Sequence, residues 1–134
     1  MTDLAILTGY RINQAVETLD EAKKMQSGGF STRTIVNRAY YAVFYALLAL
    51  HIGSGKQLKT SKHAGVISSF DREFVKSGIF HRRLSEMVHK LFDLRQEADY
   101  HEMSEISREK AAEAVGMADD VILGIQGHLG SQGI

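Results

Sequence analysis

Arg95 stands where an apolar residue belongs. It follows Leu91 by four residues and Val88 by seven, so on a helix it prolongs their apolar stripe. Arginine is almost never buried without a partner. Three explanations fit the position: the side chain snorkels past the end of the core, it pairs with Asp99 one turn on, or it points into a polar pocket where its charge is used. His101 lies six residues further along. On an unbroken helix it would sit roughly 120° around the axis from Arg95. The two converge only where the helix ends near Asp99 or Tyr100, or where a second subunit shares the site. A guanidinium stays charged and grips phosphate bidentately. An imidazole, with an ordinary pKa near ~6.5, gives or takes a proton at neutral pH. Together they have the chemistry for metal-free phosphodiester cleavage. The imidazole would activate a ribose 2′-hydroxyl or protonate the leaving oxygen, and the guanidinium would stabilise the charged phosphorane. Asn37 is a second polar intrusion, on a different helix, four residues before Tyr41 on its packed side. Its amide needs hydrogen-bond partners, which it finds either by tying helices together or by lining the pocket of Arg95.

Other chemistries lack their residues. The chain has no cysteine, hence no disulfide, thiol nucleophile or thiolate metal site. Its six histidines form no i,i+4 pair and no HExxH, so no metal site is expected. His89 and Asp93 have helical spacing but read as a surface contact. No GxxxxGK[ST] loop occurs, and Gly53-Ser54-Gly55-Lys56 is too short and has no preceding strand. No nucleophile elbow is present. No cofactor is implied.

The elements that must position these residues are helices. Apolar residues at helical spacing predict a first helix from about Asp3 to Met25, stopped by Ser27-Gly28-Gly29. A second starts at Ser31 or Thr32, either of which can cap it, and runs to about His51. Its centre, Ala39 to Leu50, is apolar nearly all round and must be covered on most sides. Ala39, Ala42, Ala46 and Ala49 make a smooth stripe for another helix, with Tyr41, Tyr45 and Leu48 on a neighbouring face. An exposed loop follows from Gly53 to Lys59. Further helices are expected from about Ser61 to Val75, from Phe80 into the Asp99 region, and after Ser107. The expectation is an all-α, up-down bundle of about five helices. It would occupy residues 1–127, with a flexible, glycine-rich tail over 128–134.

The chain has 134 residues, 44% hydrophobic and 24% charged, the size and composition of one soluble domain. No uninterrupted apolar run suggests a membrane span, and Asp3 stands where a secretory leader would carry basic charge, so a cytoplasmic location is expected. Sixteen basic residues balance sixteen acids. Residues 51–95 nevertheless hold nine basic residues against four acids, a net of +5 that the rest of the chain offsets. Such a middle reads either as a mixed solvated face or as a hint of an anionic substrate or acidic partner.

Two segments resemble the HEPN family. They are Asn37-Arg-Ala-Tyr40-Tyr41-Ala42-Val-Phe44-Tyr-Ala46 and Leu94-Arg95-Gln-Glu-Ala-Asp99-Tyr100-His101, in this order within one bundle. The likeness is closest to the short prokaryotic members and covers most of the chain. It implies a bundle that forms a homodimer through its long helices. In catalytic members an Arg and a following His from each subunit meet at the dimer cleft as a metal-independent ribonuclease site, and Arg95 and His101 fit that spacing. The resemblance then gives Arg95 the phosphate, His101 the acid–base role, and Asn37, Asp99, Tyr100 and Tyr41 supporting places. Many such proteins are toxins encoded beside a minimal nucleotidyltransferase antitoxin. In one branch that partner adenylylates a tyrosine two residues after the motif histidine; here Met103 holds that position, so this form of control does not carry over. A second reading stays open: a non-catalytic module that binds RNA or a nucleotide at Arg95, or docks a nucleotidyltransferase, without needing His101. A third makes Arg95 and Asp99 purely structural.

Overall fold

A computed structural model describes residues 2–100 and 105–133. The elements are α1 (Asp3–Ser27), α2 (Thr32–Gly53), α3 (His63–Phe70) continued by a π-helical turn (Asp71–Val75), α4 (Arg82–Tyr100) and α5 (Arg108–Ser131). Among the described residues there is no strand, and the chain is an all-α bundle.

Side-chain caps set three of the helix starts. The hydroxyl oxygens of Thr2, Ser31 and Ser107 accept from the backbone N–H groups of Ala5, Thr34 and Lys110, satisfying donors that have no intrahelical partner. Ser31, not Thr32, is therefore the cap of α2. Gly29 takes the left-handed φ of 70° that the turn after α1 requires. Arg108 then pins this turn to the start of α5, donating to the carbonyls of Phe30 and Gly29.

α2 is the core element and packs on α1, α3, α4 and α5. By length and hydropathy it could cross a membrane, yet 67% of that stretch is buried inside the bundle, which accounts for its composition. Its alanine stripe, Ala39, Ala42, Ala46 and Ala49, is fully buried, as are Ala15 and Ala22 of α1. Small residues on both partners let the α1 and α2 axes approach closely. α4 contributes Met87, Val88, Leu91 and Ala98, and α5 a full stripe from Ala111 to Leu129.

Two differences from the sequence expectation have local causes. The third helix changes to π winding at Asp71, which opens one turn and lets the Asp71 carboxylate accept from Ser85 Oγ and His89 Nε2 of α4, both at 2.6 Å. His89 therefore serves Asp71, not Asp93. α5 continues through Ser131 because Leu129 is buried, and that contact holds the helix past glycines that would otherwise favour fraying.

Candidate functional site

The aromatic face of α2 meets the C-terminal half of α4 and the first turn of α3. Arg95 lies at the centre. Its side chain is only 14% exposed, and Nη2 donates to Tyr41 Oη at 3.2 Å. The guanidinium stands over the rings of Tyr40 and Tyr41, 5.5 Å from each centroid, and 5.8 Å from that of Tyr100. A delocalised cation is attracted by the negative face of each ring, so the tyrosines hold the guanidinium without cancelling its charge. Asp99 Oδ2 lies 2.9 Å from Arg95 Nε, but the N–H is not aimed at it; the contact is a charge pair and not an aligned hydrogen bond. Of the three explanations that the sequence allows, pairing with Asp99 is present, and the guanidinium also lies over the Tyr40 and Tyr41 rings.

Tyr40 is buried, and its hydroxyl meets His63 Nδ1 at 2.9 Å. Burial pushes the Tyr40 phenol well above its ordinary range, with Arg95 pulling partly back, so it stays protonated. The His63 ring rests on Phe44 at 4.1 Å between centroids, and on Tyr41 and Tyr40 at 5.5 and 5.6 Å. Its pKa is lowered, first by desolvation and then by the charge of Arg95, so the imidazole is neutral at pH 7. Tyr100 is 66% exposed, an open ring beside the half-buried cation.

Asn37 does not reach Arg95 through any described contact. Its Oδ1 accepts from Nε and Nη2 of its neighbour Arg38, at 3.3 and 3.0 Å, and Arg38 in turn lies over the Tyr41 ring at 5.5 Å. Asn37 therefore steadies a second cation on the same tyrosine. Arg33 donates to the carbonyl of Ala98 and fastens the end of α4 to α2. His101 and Met103 lie outside the described residues.

The family model for the HEPN domain matches residues 8–126. The chain belongs to the HEPN domain family. A UPF0332 protein of Thermotoga maritima is 35% identical over 117 residues, 87% of this chain and 86% of its own length. A Methanocaldococcus jannaschii protein named "Putative toxin MJ0142" is 32% identical over 75% of this chain and 66% of its own length. A second from that organism, "Putative toxin MJ0605", is 41% identical over 51% of this chain and 49% of its own length.

Within this HEPN bundle the sequence reading missed His63 and Arg38. Arg38 carried a local signal, since it precedes Tyr41 by one helical turn. His63 carried none: the loop after α2 separates it from every residue that it touches. The cluster is also distinct from a separate cavity of this chain. That cavity, about 650 Å³, is lined by Lys56, Lys59, Thr60, Arg72 and Glu73, and shares no residue with the Arg95 cluster. Two of its cations are already paired, Lys56 Nζ and Arg72 Nε lying 3.6 and 3.4 Å from Glu73.

Proposed function

We propose that this HEPN chain is a toxin-like subunit that binds RNA through Arg95 and cleaves it without a metal, as a homodimer whose cleft joins the sites of two subunits. The observation that carries this reading is the Arg95 guanidinium held against Tyr40, Tyr41 and Tyr100 in the HEPN motif position, with the exposed Tyr100 ring beside it. Exposed aromatic rings next to arginine suit single-stranded RNA, whose bases stack on the ring while a phosphate takes the cation. The relatives named as toxins support the class of function.

In the proposed reaction the ribose 2′-oxygen attacks the adjacent phosphorus and the bond from phosphorus to the 5′-oxygen breaks. A base takes the 2′-proton and an acid returns one to the leaving oxygen. The products are a 2′,3′-cyclic phosphate and a free 5′-hydroxyl. Arg95 stabilises the charge on the phosphorane, His101 moves protons, and Tyr41 and Asp99 orient Arg95. Asn37 acts one step away by holding Arg38. Cleavage of mixed single-stranded and structured RNAs in EDTA tests this. Wild type is expected to leave cyclic phosphate ends, and Arg95→Ala to lose at least about 100-fold in rate while its oligomeric state stays the same. Equal cleavage by His101→Ala would remove the acid–base role of His101.

One observation also fits a second reading. The Asp99 carboxylate partly neutralises Arg95, which suits a binding module as well as an enzyme. A protein that binds RNA or a nucleotide through Arg95 but leaves RNA intact would be that module. A minimal nucleotidyltransferase that co-purifies on co-expression would be its docking partner.

A further inference from the structure

The HEPN fold contains its own reference for a purely structural histidine. His51 of α2 is 1% exposed and both ring nitrogens are used, Nδ1 with the Leu47 carbonyl at 2.7 Å and Nε2 with Ser69 Oγ at 2.9 Å. His63 differs on each count. It is partly exposed, only Nδ1 has a described hydrogen-bond partner, and it shares the tyrosines that hold Arg95. Three aromatic rings fix its plane, and one hydroxyl fixes one nitrogen. An imidazole oriented in this way, with one nitrogen left over and two tyrosine rings shared with the half-buried Arg95 guanidinium, is arranged for a ligand that the guanidinium also holds.

We infer that His63 is a second phosphate-contacting residue of this site: α3 presents its Nε2 to the phosphate group that Arg95 binds, with Tyr40 holding Nδ1. The inference rests on the RNA-binding reading of Arg95 and adds a residue to it. The proton arrangement follows from the partners. Tyr40 stays protonated and donates to Nδ1, so the neutral ring carries its own proton on Nε2, a donor for a phosphate oxygen. Protonation turns the ring into an imidazolium. Nδ1–H then donates to Tyr40 Oη, and Nε2–H meets the phosphate with a full charge behind it. The charged and titratable groups around the ring are Tyr40 and Tyr41, with Arg38 over the latter, from α2, and Arg95 with Asp99 from α4. Without a ligand Arg95 disfavours the imidazolium; a bound phosphate reverses that balance. Anion binding and protonation of His63 must therefore strengthen each other.

The test uses a single-stranded 2′-O-methyl RNA, which cannot be cleaved, and the full-length protein. Fluorescence anisotropy at pH 7.5 and pH 5.5 compares wild type, His63→Gln and Arg95→Ala. Proton NMR follows the ring resonances of His63, identified by their absence from His63→Gln. Wild type is expected to tighten severalfold more than His63→Gln on acidification. The His63 resonance should move on adding RNA and its titration midpoint should rise, and both effects should vanish in Arg95→Ala. Tyr40→Phe, which keeps the ring and removes the hydroxyl, should lose part of the acid-dependent gain with its melting curve still cooperative. A His63 resonance unmoved by RNA, with Arg95→Ala alone losing affinity, overturns the inference and leaves Arg95 as the RNA contact. Absence of binding by wild type overturns both. The NMR reading is made on wild type, so it decides even if a variant folds poorly.

Discussion

At the scale of single residues, two histidines in one bundle have opposite assignments for reasons visible in their partners. The Leu47 carbonyl can only accept, so the neutral His51 ring carries its proton on Nδ1, and Nε2 accepts from Ser69 Oγ. Burial is the first cause that lowers the His51 pKa; Arg72 adds to it, while the Leu47 carbonyl and Glu73 oppose it. A histidine whose folded pKa lies below its unfolded value leaves the unfolded chain binding more protons between the two. The stability it contributes is complete above about pH 6.5 and is lost as pH falls from there through the folded value. The wild-type melting temperature should therefore drop between pH 7.5 and pH 5. His51→Gln should melt lower at pH 7.5 and show a shallower drop; an unchanged slope would assign the acid sensitivity elsewhere, first to His63, whose pKa is lowered in the same direction. Arg95 is set by the same kind of accounting of partners. Lysine cannot reproduce a planar cation lying against three rings, so Arg95→Lys should behave like Arg95→Ala in RNA binding and not like wild type.

At the scale of elements, α2 does most of the positioning, and its alanine stripe is what permits it. Ala46 is fully buried in the core stripe of α2. Ala46→Leu should cost about 1–3 kcal/mol by overpacking, measured by urea denaturation, against about 2–5 kcal/mol for the cavity left by Leu91→Ala in α4. The caps are worth less individually. Ser107→Ala should cost about 1 kcal/mol, because it leaves the Lys110 N–H without the Ser107 Oγ that accepts from it. α3 has a different task. It is short, and its π turn is tied to α4 by Asp71 through Ser85 and His89, so the element carrying His63 is referenced to the helix carrying Arg95.

At the scale of the whole molecule, charge and exposed apolar surface are the features that a partner would meet. The net +5 of residues 51–95 lies on α3, α4 and the loop before them. RNA binding that uses these cations releases counterions, so affinity should fall steeply and linearly on a log–log plot against salt, with a smaller slope for Arg95→Ala. α1 exposes Leu4, Ile6, Leu7 and Tyr10 near its N-terminus. Light scattering coupled to size exclusion tests the proposed homodimer directly: it should give twice the 14.9 kDa of one chain.

The sequence by itself determined the helices and the family. Apolar residues at helical spacing, hydroxyl caps at Ser31 and Ser107, and glycines after α1 are local signals, and local hydrogen bonding acts on them directly. Arg95 was legible as a charge on an apolar stripe, and its pairing with Asp99 was one of the readings that the i,i+4 spacing allowed. Tertiary structure alone decided the company that Arg95 keeps. Asn37 turns to Arg38, because the nearest donor to its amide oxygen is the neighbouring guanidinium and no other helix offers a described partner. His63 joins the site because α3 folds back against the aromatic face of α2 after a loop that carries no periodicity. Its three ring contacts and its bond to Tyr40 exist only once that chain reversal is made. Periodicity reports which face of an element is buried; it does not report which distant element arrives to cover it.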